Sequence, residues 1–263
     1  MMRYLDYLAQ QNKPYLHAKG ELATEHLIQW LDCQPEEQIL EFGVGTGGTL
    51  VKVVSRYRQT TFWAVDKSKI MIKKASKRLA FCLLKDRATI KRIGQNQLND
   101  FADNSFDKVY VESVLGIQNG PTLCELIAQF SRLLKPAGKL IFNETIWLMS
   151  TDMIEATAFN ISAIEQFGLP QASTDYPYLN DWKALLEKHH FTVLKIEKVD
   201  VLNRIQVKEK INEKLSHLFT TLGNLYGKMF LMKRTQIFEQ SFNLFASERK
   251  LMEGYLVMAL NNK

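Results

Sequence analysis

Ile39-Leu40-Glu41-Phe42-Gly43-Val44-Gly45-Thr46-Gly47-Gly48-Thr49-Leu50 is the stretch that decides the fold. Ile39, Leu40 and Phe42 form a short apolar run of the kind that makes a buried strand. Gly43, Gly45 and Gly47 then let the backbone turn and let a ligand approach with no Cβ in the way. A helix starting near Gly48 or Thr49 would aim its unpaired N–H groups back into that turn. Strand, glycine turn and helix in this order describe a nucleotide-cofactor site at the carboxyl end of the first strand of an open α/β sheet.

The rest of the composition narrows the class. At 263 residues the chain has room for one large domain, or one domain with an appendage. Apolar residues at 46% and charged residues at 24% are ordinary for a globular protein. A net charge of +6, with no dense run of lysine or arginine, does not by itself argue for nucleic acid or membrane. Cys33, Cys82 and Cys124 are scattered and lack C-x-x-C spacing, which points to a reducing, cytoplasmic setting and no structural zinc. The five histidines show no metal-ligand spacing either. No apolar run reaches transmembrane length, and Met1 opens a polar segment unlike a signal peptide.

Gly43, Gly45 and Gly48 also satisfy G-x-G-x-x-G, which would suit a dinucleotide. Glu41 argues the other way. A carboxylate facing the loop repels a pyrophosphate but suits an ammonium or a sulfonium, directly or through water. Glu41-x-Gly43-x-Gly45-x-Gly47 resembles motif I of the class I S-adenosylmethionine (AdoMet) methyltransferases.

Further segments carry the same resemblance in the same order. Thr61-Phe62-Trp63-Ala64-Val65-Asp66 reads as the second strand. Its terminal acid stands 23 residues after Gly43, near the spacing expected for a ribose-binding carboxylate. Lys67 follows, and Ser68 is placed to cap a basic amphipathic helix. Thr89 to Asn96 reads as the third strand and its exit. There the family usually has an acid after the glycine, and this chain has Gln95, an acceptor without charge assistance. Phe101-Ala102-Asp103-Asn104-Ser105-Phe106-Asp107 resembles the family's lead-in to the fourth strand, which ends at Glu112. Arg132-Leu133-Leu134-Lys135-Pro136-Ala137-Gly138 resembles its helix–turn–fifth-strand segment, with Pro136 stopping the helix and Gly138 permitting a tight turn. That strand is expected to end at Asn143 and Glu144.

The resemblance implies a Rossmann-like, doubly wound α/β fold: a seven-stranded sheet with an antiparallel last strand, plus helical inserts. It divides the chain into an N-terminal helical segment 1–38 covering the cleft, a core at 39–202 with an insert at 146–180, a helical insert at 203–250, and the last strand within 251–263. It implies AdoMet as cofactor, held by Glu41, Gly43, Gly45, Gly47, Asp66, Lys67, Gln95, Asn96 and Glu112. Glu112, Glu144 and His17 are the candidate catalytic residues, with Tyr178 a further candidate base, and no metal is called for. The Tyr15-Leu16-His17-Ala18-Lys19-Gly20 stretch resembles a segment that folds over the cofactor cleft in small-molecule methyltransferases, or is an ordinary surface connection.

Aromatic and methionine-rich inserts favour a small organic or lipid-like acceptor over nucleic acid. No Asn/Asp-Pro-Pro-Tyr/Phe follows the fourth strand, where Glu112-Ser113-Val114-Leu115 stands instead. A protein or RNA methyltransferase, a catalytically silent AdoMet-binding subunit and an NAD-dependent oxidoreductase are the competing readings. About 45 residues at 206–250 separate the last two strands, too many for a plain loop. They are read as a lid, a homodimer surface, a peripheral membrane contact or an added packing layer.

Overall fold

The structure is a computed structural model that describes residues 4–16, 20–94, 97–245 and 250–263, with backbone alone at 97 and 239–245. After helix α1 (Tyr4–Gln10) and helix α2 (Gly20–Leu31), the chain alternates strand and helix: β1 (Gln38–Phe42), α3 (Gly48–Arg56), β2 (Thr61–Asp66), α4 (Lys69–Phe81) and β3 (Ala88–Arg92). It continues through β4 (Phe106–Glu112), α5 (Gly120–Leu133), β5 (Leu134–Trp147), α6 (Met153–Phe167), α7 (Leu179–Lys188) and β6 (Phe191–Lys198). Two helices, α8 (Ile211–Phe230) and α9 (Met232–Phe245), precede the last strand β7 (Met252–Asn261).

The seven strands form one sheet in the order β3-β2-β1-β4-β5-β7-β6. β7 inserts antiparallel between β5 and β6, as the sequence leads one to expect. Both faces are covered, so the central strands are apolar on both sides. Leu40, Val109 and Phe142 pack under α5 and α7 with Phe130 and Trp182. Ile39, Tyr110 and Ile141 pack on the opposite side with Leu50 and Val54 of α3 and Leu27 of α2. Successive residues of one strand thus feed two cores, the period-two consequence of the pleat. The reversal of strand order lies between β1 and β4, where such sheets bind ligands.

Three local expectations are corrected. β5 does not stop at Glu144. β7 runs beside it through Thr145↔Gly254, Ile146↔Glu253 and Trp147↔Met252. Glu144 is therefore interior to a strand and buried. At the start of β5 it is Ala137, not Gly138, that takes positive φ, at 60°. Gly138 is needed for close approach instead: a Cβ there would lie 2.9 Å from the Lys135 carbonyl oxygen and 3.0 Å from that of Asp107. The apolar run Tyr255–Leu260, which reads by itself as the last strand, covers only part of it, since β7 begins three residues earlier at Met252.

α8 is docked by polar contacts. Arg56 of α3 donates to Glu213 through Nε at 3.0 Å and Nη2 at 2.6 Å. It also donates to Glu25 of α2. Lys52 joins Glu21 and Glu25 at 2.7 and 2.6 Å. The buried guanidinium of Arg78 donates to the carbonyl of Thr46 in the glycine loop, to the carbonyl of Asn12 and to the hydroxyl of Ser216 on α8. One side chain thus ties together the loop, the N-terminal segment and the insert.

Candidate active site

The glycine loop is held by the backbone of the neighbouring strand. Gly43 and Val44 N–H groups both donate to the Val65 carbonyl, at 2.8 and 3.0 Å. Gly47 closes the turn onto Val44 and takes a left-handed conformation as the N-cap of α3, with no side chain capping that helix. The first N–H groups of α3 therefore face the loop, a polar end suited to ligand acceptors. A Cβ on Gly43 would fall 2.4 Å from Val114 Cγ2, so the chain leaving β4 presses directly on the loop. On the other side, Pro14 lies against Gly48, Leu16 against Gly45, and Thr46 donates to the Lys13 carbonyl.

Four acids converge at the carboxyl ends of the central strands. Glu41 ends in a buried carboxyl that accepts from the Tyr110 hydroxyl at 2.8 Å. Burial, then the nearby charges of Glu112 and Asp66, push its pKa well above the usual carboxylate range despite that hydrogen bond. Asp66 accepts from Gly45 N–H at 3.0 Å and from Ser68 N–H at 2.8 Å. Burial raises it too, against those hydrogen bonds. Glu112 accepts from Thr24 of α2 at 2.9 Å and from Thr49, in the first turn of α3, at 2.5 Å. The residue after it, Ser113, is held at φ 51°, a region that costs a non-glycine residue about 1–2 kcal/mol and is over-represented at functional sites.

Glu144 has a different task. Its Oε1 accepts from the N–H groups of Val114 and Leu115, both at 2.7 Å, so it clamps the loop after β4. Burial lifts its pKa to about 7 against these hydrogen bonds, with Glu112 adding to the rise. The folded chain then binds an extra proton between the ordinary carboxylate value and about 7. The stability this carboxyl contributes is complete below that window and is lost as pH rises through it. Glu144→Gln should escape that loss. Its stability relative to the parent, measured by urea unfolding, should improve by about 2–3 kcal/mol from pH 4.5 to pH 8. A pH-independent difference would contradict the burial argument.

The remaining sequence candidates are distributed as follows. His17, Gln95 and Asn96 lie outside the described residues. Lys67 is exposed, and its carbonyl accepts from Arg92 Nε at 3.1 Å. Tyr178 is at the start of α7, donates to the Thr151 carbonyl and packs in a separate cluster with Trp147 and Leu251. Among the described residues, one exposed trio, Glu21, Glu209 and His217, could offer ligands to a cation, but Lys52 already holds Glu21.

Sequence reasoning missed Tyr110, Thr24 and Thr49, the partners of Glu41 and Glu112. Only the register could have supplied Tyr110, because Glu41 and Tyr110 are direct neighbours across the β1–β4 pair. Thr49 was inside the quoted stretch, one turn from the glycines, and an acid at a helix N-terminus is a recurrent pairing.

A buried acidic cluster beside an uncapped helix start does not suit a pyrophosphate. It suits a cationic ligand with hydroxyls. Residues 39–138 match the family model of a methyltransferase domain. That stretch is a methyltransferase domain. The match covers β1 through the start of β5, with the glycine loop and three of the four acids. The chain is 31% identical over 144 residues to the uncharacterised methyltransferase YodH of Bacillus subtilis, covering 54% of this chain and 57% of YodH. The aligned stretch is thus less than two thirds of that relative's own length. Among solved structures, phosphoethanolamine N-methyltransferase 2 of Haemonchus contortus superposes with a TM-score of 0.68 at 16% identity, over 98% of this chain and 57% of that one. The [4+2]-cyclase SpnF superposes with a TM-score of 0.64 at 14% identity, over 90% and 79%. At those identities the likeness is one of fold.

The cofactor of such a domain is AdoMet, and the methyltransferase domain's own residues fit it. Glu41, Asp66 and Glu112 stand together beside the glycine loop, an acceptor-rich set that would suit a cationic ligand with hydroxyls. The glycine loop leaves backbone, not side chain, at the point of approach. No helix among the described residues is long and apolar enough to cross a membrane.

Proposed function

We propose that this chain transfers a methyl group from AdoMet to a small organic or lipid-like acceptor. The observation that carries the reading is the convergence of Glu41, Asp66 and Glu112 on the glycine loop. AdoMet, when bound, supplies an activated methyl on a sulfonium. The chain's own residues bind, orient and exclude water. Asp66, which accepts from the backbone at Gly45 and Ser68, is a carboxylate suited to ribose hydroxyls. Glu112, fixed by two threonines, is the candidate contact to cofactor or acceptor and the nearest candidate base. Glu144 is a positioning residue for the loop at Val114 and Leu115. Residues 13–16 are the cover over the cofactor.

An apolar acceptor is supported by an aromatic cluster built from α1, α6 and α9. Tyr4 of α1 meets Phe167 of α6 and Phe238 of α9 with centroids 5.2 and 5.0 Å away. Tyr7 joins Phe238 at 4.9 Å. Three segments that are remote in sequence thus build one aromatic cluster. Aromatic side chains combine large apolar area with fixed geometry, the composition of small-molecule sites. The ligand named for the Haemonchus enzyme, phosphomonomethylethanolamine, is small, which agrees with this class without naming the acceptor here.

The cofactor half of the reading is tested by Glu41→Gln. Glutamine keeps the shape and the hydrogen bond to Tyr110 but cannot ionise. A bound cation should draw the proton off Glu41, so in the parent chain AdoMet affinity should rise with pH and binding should release protons. The variant should bind about 10–100-fold more weakly, the worth of a charge-assisted contact, and lose the proton release. Calorimetry in buffers of different ionisation heat reads both; unchanged affinity would remove the charge argument. The acceptor half is tested with methyl-labelled AdoMet and a whole-cell extract sorted into small-molecule, lipid, protein and RNA fractions. Label among small molecules or lipids supports the proposal. Label in protein or RNA, or binding without transfer, rejects it.

A further inference from the structure

α8 is amphipathic in the inverse sense. A surface helix normally buries its apolar stripe and shows its polar one. Here Glu213, Ser216, Gly223 and Gly227 face inward and are buried. They are held by Arg56 and Arg78 and by close packing on Gln11 and Asn12. The opposite face carries Ile211, Leu218, Leu222, Leu225 and Met229, spaced seven, four, three and four residues apart. Each of these five is 48–73% exposed. Phe230, at 67% exposure, extends the same surface at the end of the helix. The seam runs from Ile211 to Met229 and is turned to water, where apolar area is unfavourable.

Charge says what covers it. Residues 204–234 hold seven lysines and arginines and two glutamates. One of the two, Glu213, is turned inward and paired with Arg56. Lys214, four residues before Leu218, and Lys228, three after Leu225, run along one edge of the seam and are exposed. A second copy of the chain is a poor partner for such a face. Pairing α8 with its copy would bring two positively charged faces together. We propose that α8 docks this protein on an anionic phospholipid bilayer. The seam lies at the acyl boundary and the lysine stems reach back to the headgroup phosphates. Gln11 and Asn12, packed on Gly223 and Gly227, lead straight into the segment on the glycine loop. Docking therefore leaves α8 between the lipid surface and the segment on the glycine loop, about one helix diameter of 10 Å away. The inference stands apart from the identity of the acceptor.

Sedimentation of the full chain with vesicles tests it. The chain should pellet with an equimolar phosphatidylcholine–phosphatidylglycerol mixture and stay in solution with phosphatidylcholine alone. Leu225→Glu and Met229→Glu should each weaken binding at least about tenfold, since a charge then enters the apolar boundary. Lys214→Glu with Lys228→Glu should weaken it about tenfold or more, and raised salt should act in the same direction. All four positions are exposed, so AdoMet binding should be unchanged and serves as the check of folding. Three results would overturn the proposal: no pelleting with the anionic vesicles, pelleting that the variants do not alter, or a stable dimer in solution that Leu225→Glu dissociates.

Discussion

Gly43→Ala is expected to weaken AdoMet binding by at least about 100-fold, equivalent to some 2.7 kcal/mol. Two costs combine at this position. Gly43 has φ 88°, and a Cβ in that region is unfavourable by about 1–2 kcal/mol. The new Cβ would also stand 2.4 Å from Val114 Cγ2. A branched side chain on the loop has no flexible end to swing aside, so Val114 and its backbone must move. Val114 and Leu115 are the residues whose N–H groups Glu144 clamps. The displacement therefore travels from the glycine loop to the end of β4, where Glu112 stands. Gly45→Ala is the control. Its Cβ would meet Leu16 Cδ1 at an ordinary 3.7 Å, so it carries backbone strain without a clash. Calorimetric titration of both variants should rank Gly43→Ala as clearly the weaker binder. Equal affinities would mean that Val114 does not constrain the loop.

Arg56→Met is expected to destabilise the fold by about 3–5 kcal/mol, the range seen when one partner of a buried ion pair is removed. Arg56 serves two carboxylates on two different elements, Glu25 of α2 and Glu213 of α8. The Glu213 side chain is fully buried, and without Arg56 the nearest cation is Lys52 at 3.7 Å. Methionine fills much of the volume, so the loss reads as charge more than as cavity. A second substitution, Glu213→Gln, removes the orphaned charge and should restore at least about 1 kcal/mol. Urea unfolding of the parent, both single variants and the pair gives the coupling directly. Strict additivity, or a loss below about 1 kcal/mol for Arg56→Met, would show that α8 is held by packing and not by this network. Because Arg56 helps to hold α8 against α3, the single variant should also cleave faster within 203–231 under limited proteolysis.

Local chemistry made much of the core legible. Ser68 does cap α4, accepting from Met71 N–H at 3.3 Å. Asn104 makes the turn before β4 with φ 55°, and Phe106 behind it is buried. Asp66 lies against the glycine loop, as its distance along the chain from Gly43 implied. The candidate site was legible as residue types but not as roles. Glu41 was read as a charge waiting for a cation. In the folded chain it favours its proton, because burial and two neighbouring acids outweigh the hydrogen bond from Tyr110. Glu144 was read as a strand-end acid of the cleft, and it is a clamp for the loop after β4.

Sequence alone determined the glycine loop, the acid at the end of β2, the helix caps and the sheet with its late antiparallel strand. The loop, the acid and the Ser68 cap depend on residues within about one turn or one strand of each other, where propensity and sterics act directly, while the sheet order was what the family resemblance implied. Tertiary structure alone decided which acids meet, which hydroxyls hold them, and which way α8 faces. Those depend on register between strands and on contacts between segments as distant as Arg56 and Glu213. Periodicity marked α8 as amphipathic but could not say which face the protein would keep. Arg56 and Arg78, placed beneath it by α3 and α4, took the polar one.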